Sequence, residues 1–149
     1  MREMSTLHAD AWIGLLETHK RLTRALDAEL EAEHGLSLSS LEVLCRLASA
    51  DERRLRLSSL ATETGLSLSR VSRIVDVLER RRLIRRRPCP DDARSVEAHL
   101  SEKGFALARE AQAAHLASVQ RRFFDELTPD ELATLAQVFG RFASRGSVS

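Results

Sequence analysis

The stretch from residue 57 to residue 100 constrains the fold of this chain most strongly, because it joins two short helical patterns to a hairpin pattern. The two helical patterns meet at Gly65, and a helix that ends in a left-handed residue favours glycine there. Beyond the glycine, apolar residues recur at the spacing of a helix buried on one side, at Leu68, Val71, Ile74, Val75 and Leu78. The small Ala61 lets two such helices cross closely, so the pattern predicts a helix-turn-helix.

A hairpin pattern follows the second helix directly. Ile84 opens a basic run through Arg87, turn-forming residues occupy positions 88–92, and apolar residues then alternate with polar ones up to Leu100. A basic hairpin in this place is a wing. With three prolines and six glycines among long Ala, Leu, Glu and Arg runs, we predict a mainly α fold: a winged helix-turn-helix with a three-helix core and a β-hairpin wing.

Positive charge is concentrated in the same stretch. Residues 67–100 contain nine arginines and five acidic residues, although the net charge of the chain is only +1. A basic face on an otherwise acidic body is typical of proteins that bind nucleic-acid phosphates, and the alternative is a solvated arginine-rich hairpin. The predicted contacts with double-stranded DNA are Ser67, Ser69, Arg70, Ser72 and Arg73 on the second helix, and Arg86, Arg87, Asp92 and Arg94 in the wing. The Asp92 carboxylate is expected to hold the Arg94 guanidinium extended toward a minor groove.

Long helical patterns flank this stretch. The first runs over about residues 6–33, with Gly35 at its end, and another begins after Ser101 and reaches about Leu127. Capping boxes at Ser39 and Thr128 open two further helices, and Ser58 is a predicted cap for the first helix of the helix-turn-helix. The broad apolar stripes on the N- and C-terminal helices predict that they form an intertwined dimerisation region in a homodimer.

Two motifs carry a resemblance to a known family. The wing tip reads Asp92-Ala93-Arg94, a D-x-R motif, and residues 100–104 read L-S-E-K-G. In this order after a helix-turn-helix, they resemble the MarR family of transcriptional regulators, although the unit Pro88-Cys89-Pro90 departs from the usual wing. The resemblance implies a homodimer that binds a palindromic operator, commonly a repressor released by a small aromatic or anionic ligand. It also implies one domain over residues 1–149, with a DNA-binding lobe at 36–100 and dimerisation helices at 1–35 and 101–149.

Trp12 and His19 are the predicted ligand-binding residues. They lie seven residues apart and therefore on one face of the first helix. An indole offers a flat wall for an aromatic ligand, and an imidazole can bind a carboxylate or a phenol. The alternative is that both side chains only pack in the core or the dimer interface.

Cys89 suggests a second mode of regulation. We expect it to be exposed and surrounded by arginines that lower the pKa of its thiol, so that oxidation could weaken DNA binding. An incidental thiol is the alternative, since Cys45 belongs to another helix. The histidines have no metal-ligand spacing, and we expect neither a metal nor a cofactor.

Other function classes fit the sequence less well. There is no glycine-rich phosphate loop, nucleophile elbow or zinc-binding His-Glu helix, so we expect no enzyme. A winged helix used for protein–protein contact or for nonspecific architectural DNA binding is the remaining rival. No apolar run of eighteen residues and no charged-then-apolar leader is present, and we therefore expect a cytoplasmic protein without a membrane partner.

Overall fold

Residues 4–146 are described by a computed structural model, and they form helices and one small sheet. The α-helices and β-strands in chain order are α1 (Thr6–His34), α2 (Leu38–Ser49), β1 (Arg54–Arg56), α3 (Leu57–Thr64), α4 (Leu68–Arg80), β2 (Ile84–Pro88), β3 (Val96–Leu100), α5 (Glu102–Arg122) and α6 (Pro129–Arg145). This confirms the mainly α, winged helix-turn-helix fold. The predicted domain over residues 1–149 includes residues 1–3 and 147–149, which lie outside the described residues.

Two compact units divide the chain, one up to His115 and one from Leu116 onward. The hydrophobic core belongs to the first unit. Its fully buried side chains come from α2, α3, α4, the turn after α4, β2 and β3, with α5 adding small ones. They include Leu44, Leu47, Leu60, Val71, Val75, Leu78, Leu83, Ile84, Ala98 and Ala108. The helix-turn-helix therefore rests directly on the core.

The turn between α3 and α4 has the chemistry that its sequence predicts. Gly65 ends α3 with φ 71°, a left-handed conformation that side chains disfavour. Ser67 then caps α4, because its hydroxyl accepts a hydrogen bond from the Arg70 backbone N–H at 3.2 Å. The start of α4 is thus fixed within three residues of the glycine.

The sheet has three strands in the order β1-β3-β2, all antiparallel. The wing strands β2 and β3 lie where the sequence predicts them. Residues 51–56, interpreted from the sequence as a charged loop, instead form a 3-10 turn and strand β1, which pairs Leu55 with Ala98. The wing is therefore attached through residues 97–99 of β3, which pair with β1.

Backbone contacts hold the start of α5 against the turn that follows α4. The Ser101 N–H donates to the Leu83 carbonyl at 3.0 Å, and its hydroxyl donates to the Arg82 carbonyl at 2.7 Å and accepts from the Gly104 N–H at 3.0 Å. Gly104 lies so close to this turn that a Cβ atom there would be 2.2 Å from the Leu83 oxygen. The L-S-E-K-G motif thus joins α5 to the helix-turn-helix.

Three predicted helix boundaries are wrong by a few residues. The cap of α2 is Ser37, whose hydroxyl accepts from the Ser40 N–H at 3.0 Å, rather than Ser39. The residue before α3 is Arg56, which makes no side-chain cap, so Ser58 lies inside the helix. Helix α5 ends at Arg122, where a 3-10 turn over Phe124–Glu126 replaces the expected continuation to Leu127.

In the second unit, α6 begins as predicted and stays exposed. Thr128 and Glu131 form a complete capping box with Pro129 in the first turn. No described residue of α6 is buried, although Leu132, Phe139 and Phe142 are large and apolar, and Phe142 is 69% exposed. Within residues 4–146 no helix is both long and apolar enough to cross a membrane.

Candidate nucleic-acid interface

The N-terminal end of α4 is exposed and basic. Ser67, Leu68, Ser69, Arg70 and Arg73 all lie at the surface. The Ser67 and Ser69 hydroxyls are 3.3 Å apart, and the Arg70 guanidinium donates to the Ser39 hydroxyl at 3.3 Å. A helix N-terminus with hydroxyls and guanidinium groups around it can bind phosphate and the edges of bases.

An open cleft of about 530 Å³ lies beside this end of α4. It is lined by Glu31 and Gly35 at the end of α1, Ser37 and Ser40 at the start of α2, and Arg70, Arg73, Ile74 and Val77 of α4. The two arginines and the N-terminus of α2 favour an anion in this cleft, whereas the Glu31 carboxylate opposes one. From the sequence, Ser39 was predicted only as a helix cap, and Ser37 and Ser40 were not predicted to belong to a binding surface.

The wing tip is organised by Asp92, but not in the predicted way. The Asp92 carboxylate accepts from the Arg94 backbone N–H at 3.0 Å and from the Ser95 hydroxyl at 3.2 Å. The structure records no ion pair between the Asp92 and Arg94 side chains. Asp92 therefore shapes the loop backbone, while the exposed Arg94 projects from it.

The arginines of β2 fall into two groups. Arg85 and Arg87 are exposed, whereas Arg86 is only partly exposed and faces α4. Its guanidinium forms an ion pair with Asp76 and donates to the Ser72 carbonyl at 2.8 Å and the Ser72 hydroxyl at 2.9 Å. The predicted contacts Ser72 and Arg86 thus bind each other.

Arg81 has a role that the sequence analysis missed. It follows α4, and its guanidinium donates to the carbonyls of Gly35 at 2.7 Å and His34 at 3.1 Å, which are the C-cap and the last residue of α1. Such a contact satisfies carbonyls that a helix leaves unpaired at its end. No local pattern distinguishes Arg81 from Arg80 or Arg82, so only the structure could identify it.

A solved structure shows the same architecture over almost the whole chain. The chain is 33% identical to AbsC, a MarR family transcriptional regulator from Streptomyces coelicolor, with a TM-score of 0.88 and coverage of 97% of both chains. The chain belongs to the MarR family. The MarR family model matches residues 34–95, which contain the helix-turn-helix and most of the wing.

Two further MarR-type relatives are similar to this chain. Sco3205, a MarR family regulator from the same organism solved in complex with DNA, is 29% identical with a TM-score of 0.91, covering 100% of this chain and 92% of that one. The transcriptional repressor MprA from Escherichia coli is 30% identical over 96 residues, which are 64% of this chain. The match spans 50% of the length of MprA. MarR-family members are transcriptional regulators, which confirms the expectation that the chain is not an enzyme.

Trp12 and His19 lie on the exposed surface of α1 in this MarR-family chain. Trp12 is 55% exposed, and the His19 side chain is also at the surface. Neither residue lines the cleft beside α4. They are therefore not packed in the core of their own chain, and their role in ligand binding stays a prediction.

Cys89 corrects one prediction. It is 3% exposed rather than open to solvent. Its backbone N–H donates to the Ser95 carbonyl at 3.0 Å across the base of the wing loop. Burial is the largest cause that raises the pKa of the Cys89 thiol. The charges of Glu97 and Asp92 and a hydrogen bond with Glu97 also raise this pKa. The positive charge of Arg56 lowers it, by less than burial raises it. Glu97 also contacts His99 at 2.9 Å. A buried thiol with a raised pKa is a poor redox sensor, so the redox alternative loses its basis.

Proposed function

We propose that this chain is a homodimeric transcriptional repressor that binds a palindromic DNA operator. The observation that carries the proposal is the exposed N-terminal end of α4, where Arg70 and Arg73 lie among serines beside an arginine-bearing wing. An α-helix with these side chains fits a major groove, and an exposed Arg94 fits the adjacent minor groove. The similarity to Sco3205, solved with DNA, and to the repressor MprA supports the same function.

The proposed contacts divide by the type of DNA atom. Arg70 and Arg73 would read base edges, and the hydroxyls of Ser67 and Ser69 would bind phosphates at the start of the helix. In the wing, Arg87 would contact the backbone and Arg94 the minor groove, with Asp92 shaping the loop that presents it. Residues 36–100 would thus be the DNA-binding lobe.

A gel-shift experiment tests the DNA-binding function. Fragments from the DNA that flanks the gene are footprinted, and the protected fragment is titrated at several salt concentrations with competitor DNA present. A specific complex resists competitor, and log K falls with log salt by about 0.9 for each phosphate contact. A protein that binds none of these fragments, or all of them equally, would be a protein-binding or architectural winged helix instead.

The homodimer is supported by apolar residues that their own chain leaves exposed. On α1 these are Leu7, Trp12, Ile13, Leu15 and Leu16, and on α6 they are Leu132, Phe139 and Phe142. Burying such side chains contributes about 25 cal/mol per Å². Palindromic operators also require two recognition helices related by a two-fold axis. Residues 1–35 and 101–149 would form the dimerisation region.

Analytical ultracentrifugation tests the dimer. We expect the wild type to sediment as a dimer and Phe142→Asp to shift it toward monomer, because a carboxylate replaces an exposed aromatic side chain on the apolar face. The matched control is Gln137→Asp, which adds the same charge on the opposite face of α6 and should leave the dimer intact. A monomeric wild type would contradict the proposal.

We also propose that Trp12 and His19 bind a small aromatic or anionic effector that releases the DNA. Both residues lie on one face of α1 and are exposed in the single chain, so a second subunit could complete a pocket around them. Trp12 is the only tryptophan, so its fluorescence should report binding during a compound screen. His19→Ala should keep operator affinity and lose release by a compound that quenches Trp12, whereas unchanged release would make His19 structural.

A further inference from the structure

We infer that Arg86 does not contact DNA but positions the recognition helix α4 relative to the wing. This inference rests on the proposed DNA-binding function and changes the role of one of its residues. Three side chains on one flank of α4, Ser72, Asp76 and Glu79, recur at intervals of four and three and therefore face the same way. All three contact Arg86.

Each donor that Arg86 uses is directed at α4. One terminal nitrogen of its guanidinium pairs with Asp76, and the other donates to the carbonyl and the hydroxyl of Ser72. The Arg86 backbone N–H donates to the Glu79 carboxylate at 2.8 Å. Because β2 is an edge strand, this outward N–H would otherwise have no partner in the sheet. The strand and the helix are therefore tied through four hydrogen-bonded or ionic contacts.

Electrostatics oppose a phosphate contact by the same guanidinium. Its positive charge is already balanced by Asp76, and its side chain is only 28% exposed. A phosphate would have to displace a carboxylate and two hydrogen bonds to Ser72, and it would approach the Asp76 carboxylate while doing so. The neighbouring Arg87 has an exposed side chain and no such partner among residues 4–146, so it is the matched comparison within β2.

Salt dependence separates a positioning residue from a phosphate contact. On the footprinted fragment, Arg87→Gln should weaken binding and reduce the slope of log K against log salt by about 0.9. Arg86→Gln should weaken binding at least about tenfold, because a charge-assisted hydrogen-bonded pair is lost. The same variant should leave the slope of log K against log salt unchanged. A slope reduced to the same extent as in Arg87→Gln would overturn the inference.

Asp76→Ala gives a second test, because the two possible roles of Asp76 predict opposite changes in DNA affinity. If Asp76 only repelled DNA, removal of its negative charge would strengthen binding. If it holds Arg86 in place, binding should weaken, and the double variant Arg86→Gln/Asp76→Ala should lose no more than the worse single variant. Stronger binding by Asp76→Ala, or additive losses, would overturn the inference.

Hydrogen–deuterium exchange tests the tie in the free dimer or monomer without DNA. Amides of residues 68–80 should exchange faster in Arg86→Gln than in wild type, and at the wild-type rate in Arg87→Gln. Equal exchange in all three proteins would overturn the inference. If the wild type binds no DNA fragment, the proposed function fails, and this measurement still decides whether Arg86 holds α4.

Discussion

Gly104→Ala should destabilise the protein, although alanine is the better helix former. The new Cβ atom would lie 2.2 Å from the Leu83 carbonyl oxygen and 2.7 Å from Leu100 Cδ1. That oxygen accepts hydrogen bonds from the Ser101 N–H and hydroxyl, at 3.0 and 3.1 Å, so it cannot move without weakening them. Overpacking costs about 1–3 kcal/mol, and a backbone clash this close falls at the upper end, while helix propensity returns about 1 kcal/mol. We expect a net loss of about 2 kcal/mol.

Thermal unfolding monitored by circular dichroism at fixed protein concentration measures this loss of stability as a fall in Tm. For a chain of this size, 2 kcal/mol corresponds to a fall in Tm of about 4–8 °C. The matched control is Gly14→Ala within α1, where the new Cβ atom meets nothing within 4 Å and stability should rise by up to about 1 kcal/mol. A Gly104→Ala variant as stable as wild type would refute the reasoning, because the close approach of α5 to Leu83 would then not exist.

Three further predictions concern single side chains. Thr128→Ala should lower the free energy of unfolding by about 1 kcal/mol in urea denaturation, because the capping box at the start of α6 is lost; no change would mean that this end of α6 is frayed. Leu60→Ala, at a fully buried position, should lower the free energy of unfolding by about 2–5 kcal/mol in the same assay. Leu68→Ala, at a side chain 53% exposed, should change it by less than about 0.5 kcal/mol. Similar losses in the two variants would contradict the core described above. The pKa of the Cys89 thiol is raised in the folded state, so alkylation of Cys89 should need a higher pH than alkylation of a free thiol. The stability that the protonated thiol contributes at neutral pH should be lost as pH rises through the folded-state pKa. Mass spectrometry of the alkylated protein checks this, and rapid labelling at neutral pH would contradict it.

Local sequence chemistry predicted the helices well, because their signals lie within a few residues. Gly65 ends α3 in a left-handed conformation and Thr128 opens α6 with its capping box, and both follow from residue type alone. Strand β1 was missed because three residues, two of them arginines, are too few to show a period. Its partner β3 begins forty-two residues after β1 starts. The pairing that makes it a strand is nonlocal.

The candidate site was predicted as a region more accurately than as a set of contacts. The exposed end of α4 follows from its amphipathic pattern, since Val71 and Val75 fix which face is buried. The partner of an arginine does not follow from its own position, and Arg81, Arg86 and Arg87 look alike in the sequence. Cys89 was expected at the surface because prolines flank it, yet it is buried, and its burial depends on how the loop up to Ser95 folds back in space.

The contact made by Arg81 has a consequence for how a signal could travel within the first unit. The Arg81 side chain connects the C-cap of α4 to the carbonyls of His34 and Gly35 at the end of α1. Because this guanidinium joins the two helix ends, a displacement of the end of α1 would act directly on the end of the recognition helix. If the proposed homodimer forms through α1, a change at that interface would reach the end of α4 through the same contact.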